Sequence, residues 1–90
     1  MAHKELVSQD DLRWRLNEEL DQLLKVAMGA YWKPGQCAFD SSPHRLRAVL
    51  RDGRNWSAPI GVLGDAAGPR LTHQLAVKAV AEVARLYNLK

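Results

Sequence analysis

Basic residues are the side chains of this sequence best suited to binding chemistry, and four arginines fall within residues 45–54. A guanidinium group forms paired hydrogen bonds with a phosphate or a carboxylate, so this density predicts a surface for an acidic partner. The candidate binding residues are Arg45, Arg47, Arg51, Arg54, Arg70 and Lys78. The alternative interpretation is that these charges only keep an exposed strand edge from pairing with other chains.

A metal or nucleophile site would have to combine Cys37, the one cysteine, with His44. A structural zinc site normally has four ligands at short paired spacings, and nothing in the sequence orients a base toward Cys37. We therefore expect Cys37 to be a small buried apolar residue and His44 to flank a hairpin. No metal and no cofactor is predicted.

A glycine-rich stretch precedes the C-terminal part of the chain, with glycines at positions 61, 64 and 68. Such a loop can bind phosphate when it leads into a helix N-terminus. The spacing here matches neither a P-loop nor a dinucleotide fingerprint, Asp65 would repel a phosphate, and Pro69 lacks a backbone donor. The stretch therefore predicts a flexible connection.

The acidic residues give no sign of a catalytic centre. Glu18 and Glu19 are adjacent in the sequence, so a helix would point them in different directions. No Ser/His/Asp arrangement, paired-carboxylate cleft or cofactor motif can be assembled without arbitrary choices. The sequence predicts a binding module and not an enzyme.

The elements that must position these residues begin with a helix from about residue 9 to Met28. Ser8 is suited to the N-cap, Asp11 to the capping box, and Gly29 to the end of the helix. Apolar residues recur at steps of three and four and predict one buried face. They are Leu12, Leu16, Leu20, Leu23, Leu24, Ala27 and Met28.

A hairpin is predicted around Asp52-Gly53, because residues 45–51 and 56–62 alternate between polar and apolar. A two-residue loop would split the apolar residues between two faces, whereas a three-residue loop with left-handed Gly53 keeps them on one. That register pairs Ala48 with Trp56, Leu46 with Ala58, and His44 with Ile60. The opposite face then carries Arg45, Arg47, Asn55 and Ser57.

A second helix is predicted over residues 69–88 with Asn88 as its C-cap, and a short strand over residues 36–40. The buried face of this helix is expected to carry Leu71, Leu75, Ala79, Val80, Val83, Ala84 and Tyr87. The order helix, strand, strand, strand, helix predicts an α+β fold in which both helices cover one face of a small antiparallel sheet. Residues 1–90 are expected to form one domain, with residues 1–7 flexible.

This order of elements resembles that of the double-stranded RNA-binding domain over residues 9–88. In that family the second helix opens with a lysine-rich cluster that contacts phosphates. The matching positions here include Arg70, His73 and Lys78, with Leu71 and Leu75 between them. The cluster is thin, so the resemblance implies shared architecture and not shared activity.

Composition and charge narrow the class of protein further. The 90 residues are 47% hydrophobic and 26% charged, as in an ordinary globular domain. The net charge of +3 divides into −2 for residues 1–30 (four basic, six acidic) and +5 for residues 31–90 (nine basic, four acidic). With one cysteine and no apolar run of about 18 residues, we expect a cytoplasmic protein that does not enter membranes.

Two functions fit these observations. The first is nucleic-acid or nucleoprotein binding through the arginine-rich hairpin. The second is a protein-interaction regulator or inhibitor, of the kind phages and mobile elements encode, that docks on an acidic protein surface. A homodimer is also possible, because a small sheet with an unpaired edge can pair with a second copy.

Overall fold

The computed structural model describes residues 4–64 and 67–90. In chain order the elements are β1 (Glu5–Val7), α1 (Gln9–Met28), β2 (Ala38–Phe39), β3 (His44–Arg45), β4 (Trp56–Ser57), β5 (Val62–Leu63), α2 (Pro69–Leu86) and β6 (Tyr87–Leu89). The protein is an α+β fold with two helices and small strand pairs, and this confirms the predicted class. Among these residues, no helix is long and apolar enough to cross a membrane.

Helix α1 begins and ends where the sequence predicts. The Ser8 side chain accepts a hydrogen bond from the Asp11 backbone N–H at 3.2 Å, and Gly29 adopts a positive φ of 58° at the other end. One face is buried at every fourth residue, at Leu12, Leu16, Leu20 and Leu24. The predicted stripe is slightly too wide, because Ala27 is exposed.

Helix α2 starts at Pro69 as predicted and packs along α1. Its buried face differs from the prediction in that Leu71 is 39% exposed while Thr72 and Ala76 are buried. The buried residues are Thr72, Ala76, Ala79, Val80, Val83 and Ala84. This face is made mostly of small side chains, which lets α2 approach the leucines of α1 closely.

The two ends of the described chain form a parallel strand pair that the sequence does not predict. Strand β1 pairs with β6 in the register Glu5↔Tyr87, Leu6↔Asn88 and Val7↔Leu89. Residues 5–7, which the sequence predicts to be flexible, therefore form a strand, whereas residues 1–3 lie outside the described residues. Helix α2 ends at Leu86 instead of Asn88. Burial of Val7 and Leu89 in the core gives both segments a reason to be ordered.

The remaining strands form two antiparallel pairs instead of one three-stranded sheet. Strand β2 pairs with β5, as Ala38↔Leu63 and Phe39↔Val62, and β3 pairs with β4. Pro59 lies in the stretch predicted as one strand over residues 56–62, and it lacks the backbone donor that a continuous ladder requires. Phe39 is fully buried, and its backbone N–H donates to Asn17 Oδ1 on α1 at 2.8 Å.

The hairpin has the predicted turn but not the predicted register. Gly53 has a φ of 84°, and the Leu50 N–H donates to the Arg54 carbonyl at 2.9 Å across a three-residue loop. Farther out, the observed pairs are His44↔Ser57 and Arg45↔Trp56. The pairing of Ala48 with Trp56, Leu46 with Ala58 and His44 with Ile60 is therefore wrong. The cause is a bulge: the Leu46 N–H donates to the Asn55 carbonyl, so three residues, 47–49, lie between adjacent cross-strand bonds.

Candidate binding hairpin

We divide the hairpin into a first arm, residues 44–50, a turn, residues 51–53, and a second arm, residues 54–57. The second arm is attached to the core by its tryptophan. Trp56 is fully buried, and its indole Nε1 donates to the Tyr87 carbonyl oxygen at 3.0 Å. A tryptophan that is both buried and hydrogen-bonded holds one orientation, so the second arm is a fixed support.

Two asparagines join the same arm to β6. Asn55 Nδ2 donates to the Leu89 carbonyl at 2.9 Å, and its Oδ1 accepts from the Leu89 N–H at 2.8 Å. Asn88 Oδ1 accepts from the Asn55 N–H at 3.0 Å, and its Nδ2 donates to the Gly53 carbonyl at 3.0 Å. The sequence predicts Asn55 on the outer face and Asn88 as a helix cap. Both predictions are wrong, because each side chain bonds to backbone more than 30 positions away.

Lys4 fastens the turn to helix α2. Its Nζ donates to the Asp52 carbonyl at 2.7 Å and to the Ala84 carbonyl in the last turns of the helix. A cation next to the C-terminal carbonyls of a helix is favourable, since those groups carry partial negative charge. Local sequence carries no signal for this contact, because Lys4 is 48 residues from Asp52.

Three arginines of the hairpin are open to solvent. Arg45, Arg47 and Arg51 are exposed. Within the described part of the chain, none of their side chains takes part in a hydrogen bond or an ion pair. Their guanidinium groups are therefore open to solvent, and their role as binding residues stays a prediction.

The fourth hairpin arginine, Arg54, is used within the protein. Its guanidinium carbon lies 5.4 Å from the centre of the Trp56 ring, and its Nε lies 3.5 Å from Asp52 Oδ2. Only 21% of the side chain is exposed. Cation–π contact and a neighbouring carboxylate make Arg54 part of the anchored second arm, with less charge to offer a ligand.

Apolar side chains are exposed between the free arginines. Val49 is 64% exposed and Leu50 41% exposed. The sequence predicts Leu46, Ala48 and Leu50 on a buried face, but only Leu46 is half-buried. The prediction assumes that side chains alternate between the two faces of a regular strand. The bulge takes residues 47–49 out of the strand pairing, so this alternation does not apply to them.

The two helical candidates, Arg70 and Lys78, are both exposed on α2. A cavity of about 320 Å³ between the hairpin and α2 is lined by Arg54, Val77 and Val80 among others. At 100° per residue, Lys78 lies about 60° around the helix from Ala81, which also lines this cavity, and about 160° from Val80, so Lys78 lies beside the cavity and not in its lining. The hairpin arginines are thus close in one loop, whereas Arg70 and Lys78 belong to α2 and are not in the lining of the cavity beside the hairpin.

The other chemistry-bearing residues are separated. Cys37 is buried, with 3% exposure, as predicted, and His44 is exposed at the start of β3. Across residues 4–64 and 67–90, no three His, Cys, Asp or Glu side chains are grouped so that they could hold a metal ion. Asp65 lies outside the described residues. Gly64 has a φ of 87°, and a Cβ there would collide with the Gln36 carbonyl, so close packing already explains this glycine.

One carboxyl group has a shifted pKa. Burial, and secondly the nearby charge of Glu18, raise the pKa of Asp21 above its usual value of 3.8. Asp21 Oδ1 is buried and has no hydrogen-bond partner in the described part of the chain. Desolvation without a compensating donor is the physical cause, since it disfavours the charged form.

No known protein family matches this chain, and no curated protein and no solved structure is detectably similar to it. The resemblance to the double-stranded RNA-binding domain stays a prediction, and four strands lie between the two helices where that order has three. Strands β1 and β6 and the separate strand pairs lie outside that order. The arrangement of the protein's own side chains is the guide to its function.

Proposed function

We propose that this protein is a non-catalytic binding module that engages nucleic-acid phosphates through Arg45, Arg47 and Arg51. One observation supports the proposal: three exposed guanidinium groups, which have no partner in the described part of the chain, lie on the first arm and the turn, beside a second arm that is fixed to the core. Preorganised support lowers the entropy lost when the arginines bind. The free thiol of Cys37 suits a reducing compartment, so a cytoplasmic location is part of this proposal.

Charge is the expected source of affinity. Residues 31–90 carry a net charge of +5, and binding of arginine to phosphate releases condensed counterions. Three phosphate contacts correspond to a slope of about −2.7 in a plot of log affinity against log salt for duplex DNA, from about −0.9 per contact. No base-reading element is part of the proposal, so we expect little sequence preference.

The test is a salt series with duplex DNA, duplex RNA and single strands, measured by fluorescence anisotropy. Arg45→Glu/Arg47→Glu should abolish salt-sensitive binding. The matched control is Lys33→Glu/Lys90→Glu, two exposed lysines, which also changes the net charge from +3 to −1 (3 − 4). Retained binding in the control supports the hairpin as the interface, and equal loss in both variants contradicts it.

A second candidate function is docking on an acidic protein surface as a regulator or inhibitor. Exposed Val49 and Leu50 favour it, because protein interfaces bury apolar side chains at their centre and use arginine as an anchor, whereas phosphates gain nothing from aliphatic contact. Val49→Ser/Leu50→Ser separates the two candidates. Nucleic-acid binding should be unchanged in this variant, whereas capture of an acidic protein partner should require both the arginines and the aliphatic pair.

A further inference from the structure

A second exposed surface lies between the two helices, where a cleft of about 230 Å³ opens beside the C-terminal half of α2. Trp14 of α1 and Leu86 of α2 line this cleft and are 58% and 52% exposed. Large apolar side chains that are exposed side by side in a concave site are typical of binding surfaces.

Carboxylates surround these apolar side chains. Glu18 and Glu19 of α1 and Glu82 of α2 also line the cleft. Glu82 already pairs with Arg85 at 3.0 Å, so Glu18 and Glu19 supply the negative charge that is open to a partner.

Arg15 is the basic residue of the lining, and its charge is already paired with Asp11 at 3.6 Å. Its guanidinium also stacks on the Tyr87 ring at 4.3 Å and donates to the Tyr87 hydroxyl at 2.9 Å. The cleft therefore combines an apolar surface with negative charge, and a basic and apolar segment would complement it.

The protein itself carries such a segment. In residues 47–51, Arg-Ala-Val-Leu-Arg, one exposed arginine lies at each end, and the exposed aliphatic side chains of Val49 and Leu50 lie between them. We propose that the 47–51 segment of a second copy of this chain occupies the cleft. Its aliphatic pair packs on Trp14 and Leu86, and its arginines pair with Glu18 and Glu19.

The positions of segment and cleft within one copy favour a reciprocal dimer. Tyr87 lines the cleft, and its carbonyl accepts the hydrogen bond from Trp56 in the hairpin. Lys4 joins the turn to Ala84, one residue from Val83 in the cleft lining. Both features therefore lie at the same end of the molecule. Two copies related by a twofold axis can each insert a segment into the other's cleft, which gives two identical contacts and a closed assembly.

This inference goes beyond the proposed function and does not depend on it, because self-association needs no nucleic acid. Arg47 and Arg51 take part in the dimer contact and in the proposed binding of nucleic acid, so a second copy and a nucleic acid should compete for the hairpin. Sedimentation of the purified full chain over a range of concentrations is the direct measurement. We expect a monomer–dimer equilibrium that weakens as salt rises, since the contacts include opposite charges.

Two double variants probe the two sides of the contact. Arg47→Glu/Arg51→Glu reverses the segment, and Glu18→Lys/Glu19→Lys reverses the cleft. Each should weaken dimerisation by about tenfold or more, because like charges then face each other. Lys33→Glu/Lys90→Glu, which changes the net charge as much as the segment variant does, should leave the dimer intact.

Mixing the two reversed variants is the decisive step. In the mixed dimer both contacts again join opposite charges, so an equimolar mixture should dimerise although neither variant does alone. Circular dichroism of each variant establishes that it is folded, and the single charge reversal Glu18→Lys replaces the cleft variant if Glu18→Lys/Glu19→Lys is unfolded. A wild-type chain that stays monomeric at every concentration overturns the inference, as does a mixture of folded variants that stays monomeric. Either result leaves nucleic-acid binding standing, because the assay contains none.

Discussion

The two arms of the hairpin are neighbours in sequence but differ in what holds them. The second arm is joined to the rest of the protein by the buried Trp56 and by the side chain of Asn55. The first arm contains a three-residue bulge and presents most of its side chains to solvent. We therefore expect variants of the second arm to change stability and variants of the first arm to change the proposed binding.

The largest effect should come from Trp56→Ala. Removal of a fully buried tryptophan costs about 3–5 kcal/mol of unfolding free energy. A chain of this size has roughly 5–13 kcal/mol in total, so the loss is a large share. Chemical denaturation measures it. Arg47→Ala in the first arm should change stability by no more than about 0.5 kcal/mol, and equal losses in the two variants would remove the contrast between the arms.

A smaller loss is expected from Asn55→Ala. The variant leaves both the Leu89 N–H and the Leu89 carbonyl without the partners they have now, at a cost of about 1–3 kcal/mol. Ser57→Ala is the matched control, because Ser57 lies in the same arm and its side chain makes no hydrogen bond in the described part of the chain. A denaturation midpoint for Asn55→Ala equal to that of Ser57→Ala would show that the amide does not hold the arm.

Arg54 and Arg47 sharpen the comparison, because one residue type lies in both arms. Arg54→Ala should cost about 1 kcal/mol of stability, the sum of a partly exposed cation–π contact and a surface ion pair. Arg47→Ala should cost almost none, but it should reduce the magnitude of the salt slope for duplex DNA by about 0.9. Thermal melts and the salt series measure the two effects. If Arg54→Ala lowers nucleic-acid binding as much as Arg47→Ala without loss of stability, the assignment of roles is wrong.

The two helices and the hairpin turn could be predicted because their signals are local. The side chain of Ser8 caps α1 through a residue three positions away, and Gly53 needs only its own left-handed conformation. The register of the hairpin could not be predicted. The prediction assumes that side chains alternate along an uninterrupted strand pair, and the bulge at residues 47–49 interrupts this pair. The fixation of the second arm was also beyond the sequence, since Asn55 and Leu89 are 34 positions apart.

The candidate site shows the same division. The density of arginine correctly indicates an exposed basic loop, because charged side chains seldom lie buried without a partner. It does not indicate that Arg54 stacks on Trp56, nor that Val49 and Leu50 are exposed between the other arginines. Both facts depend on which side chains the bulge turns outward. The number of charges in the hairpin can therefore be predicted from the sequence, whereas the side chains that contact or flank each arginine cannot.

The smallest effect is expected at Asp21 in α1. Its buried Oδ1 has no hydrogen-bond partner in the described part of the chain, whereas the side chain of Asn55 has two. Because the pKa of Asp21 is raised in the folded state, the folded protein holds that proton more tightly than the unfolded chain. The contribution of Asp21 to stability is therefore fully present below the ordinary pKa of 3.8 and is lost as pH rises through the raised folded pKa. Asp21→Asn removes the charge and should slightly raise the melting temperature at pH 7 but not at pH 3. Asn55→Ala should lower it at both, and a lower melting temperature for Asp21→Asn at pH 7 would show that the carboxylate is stabilising.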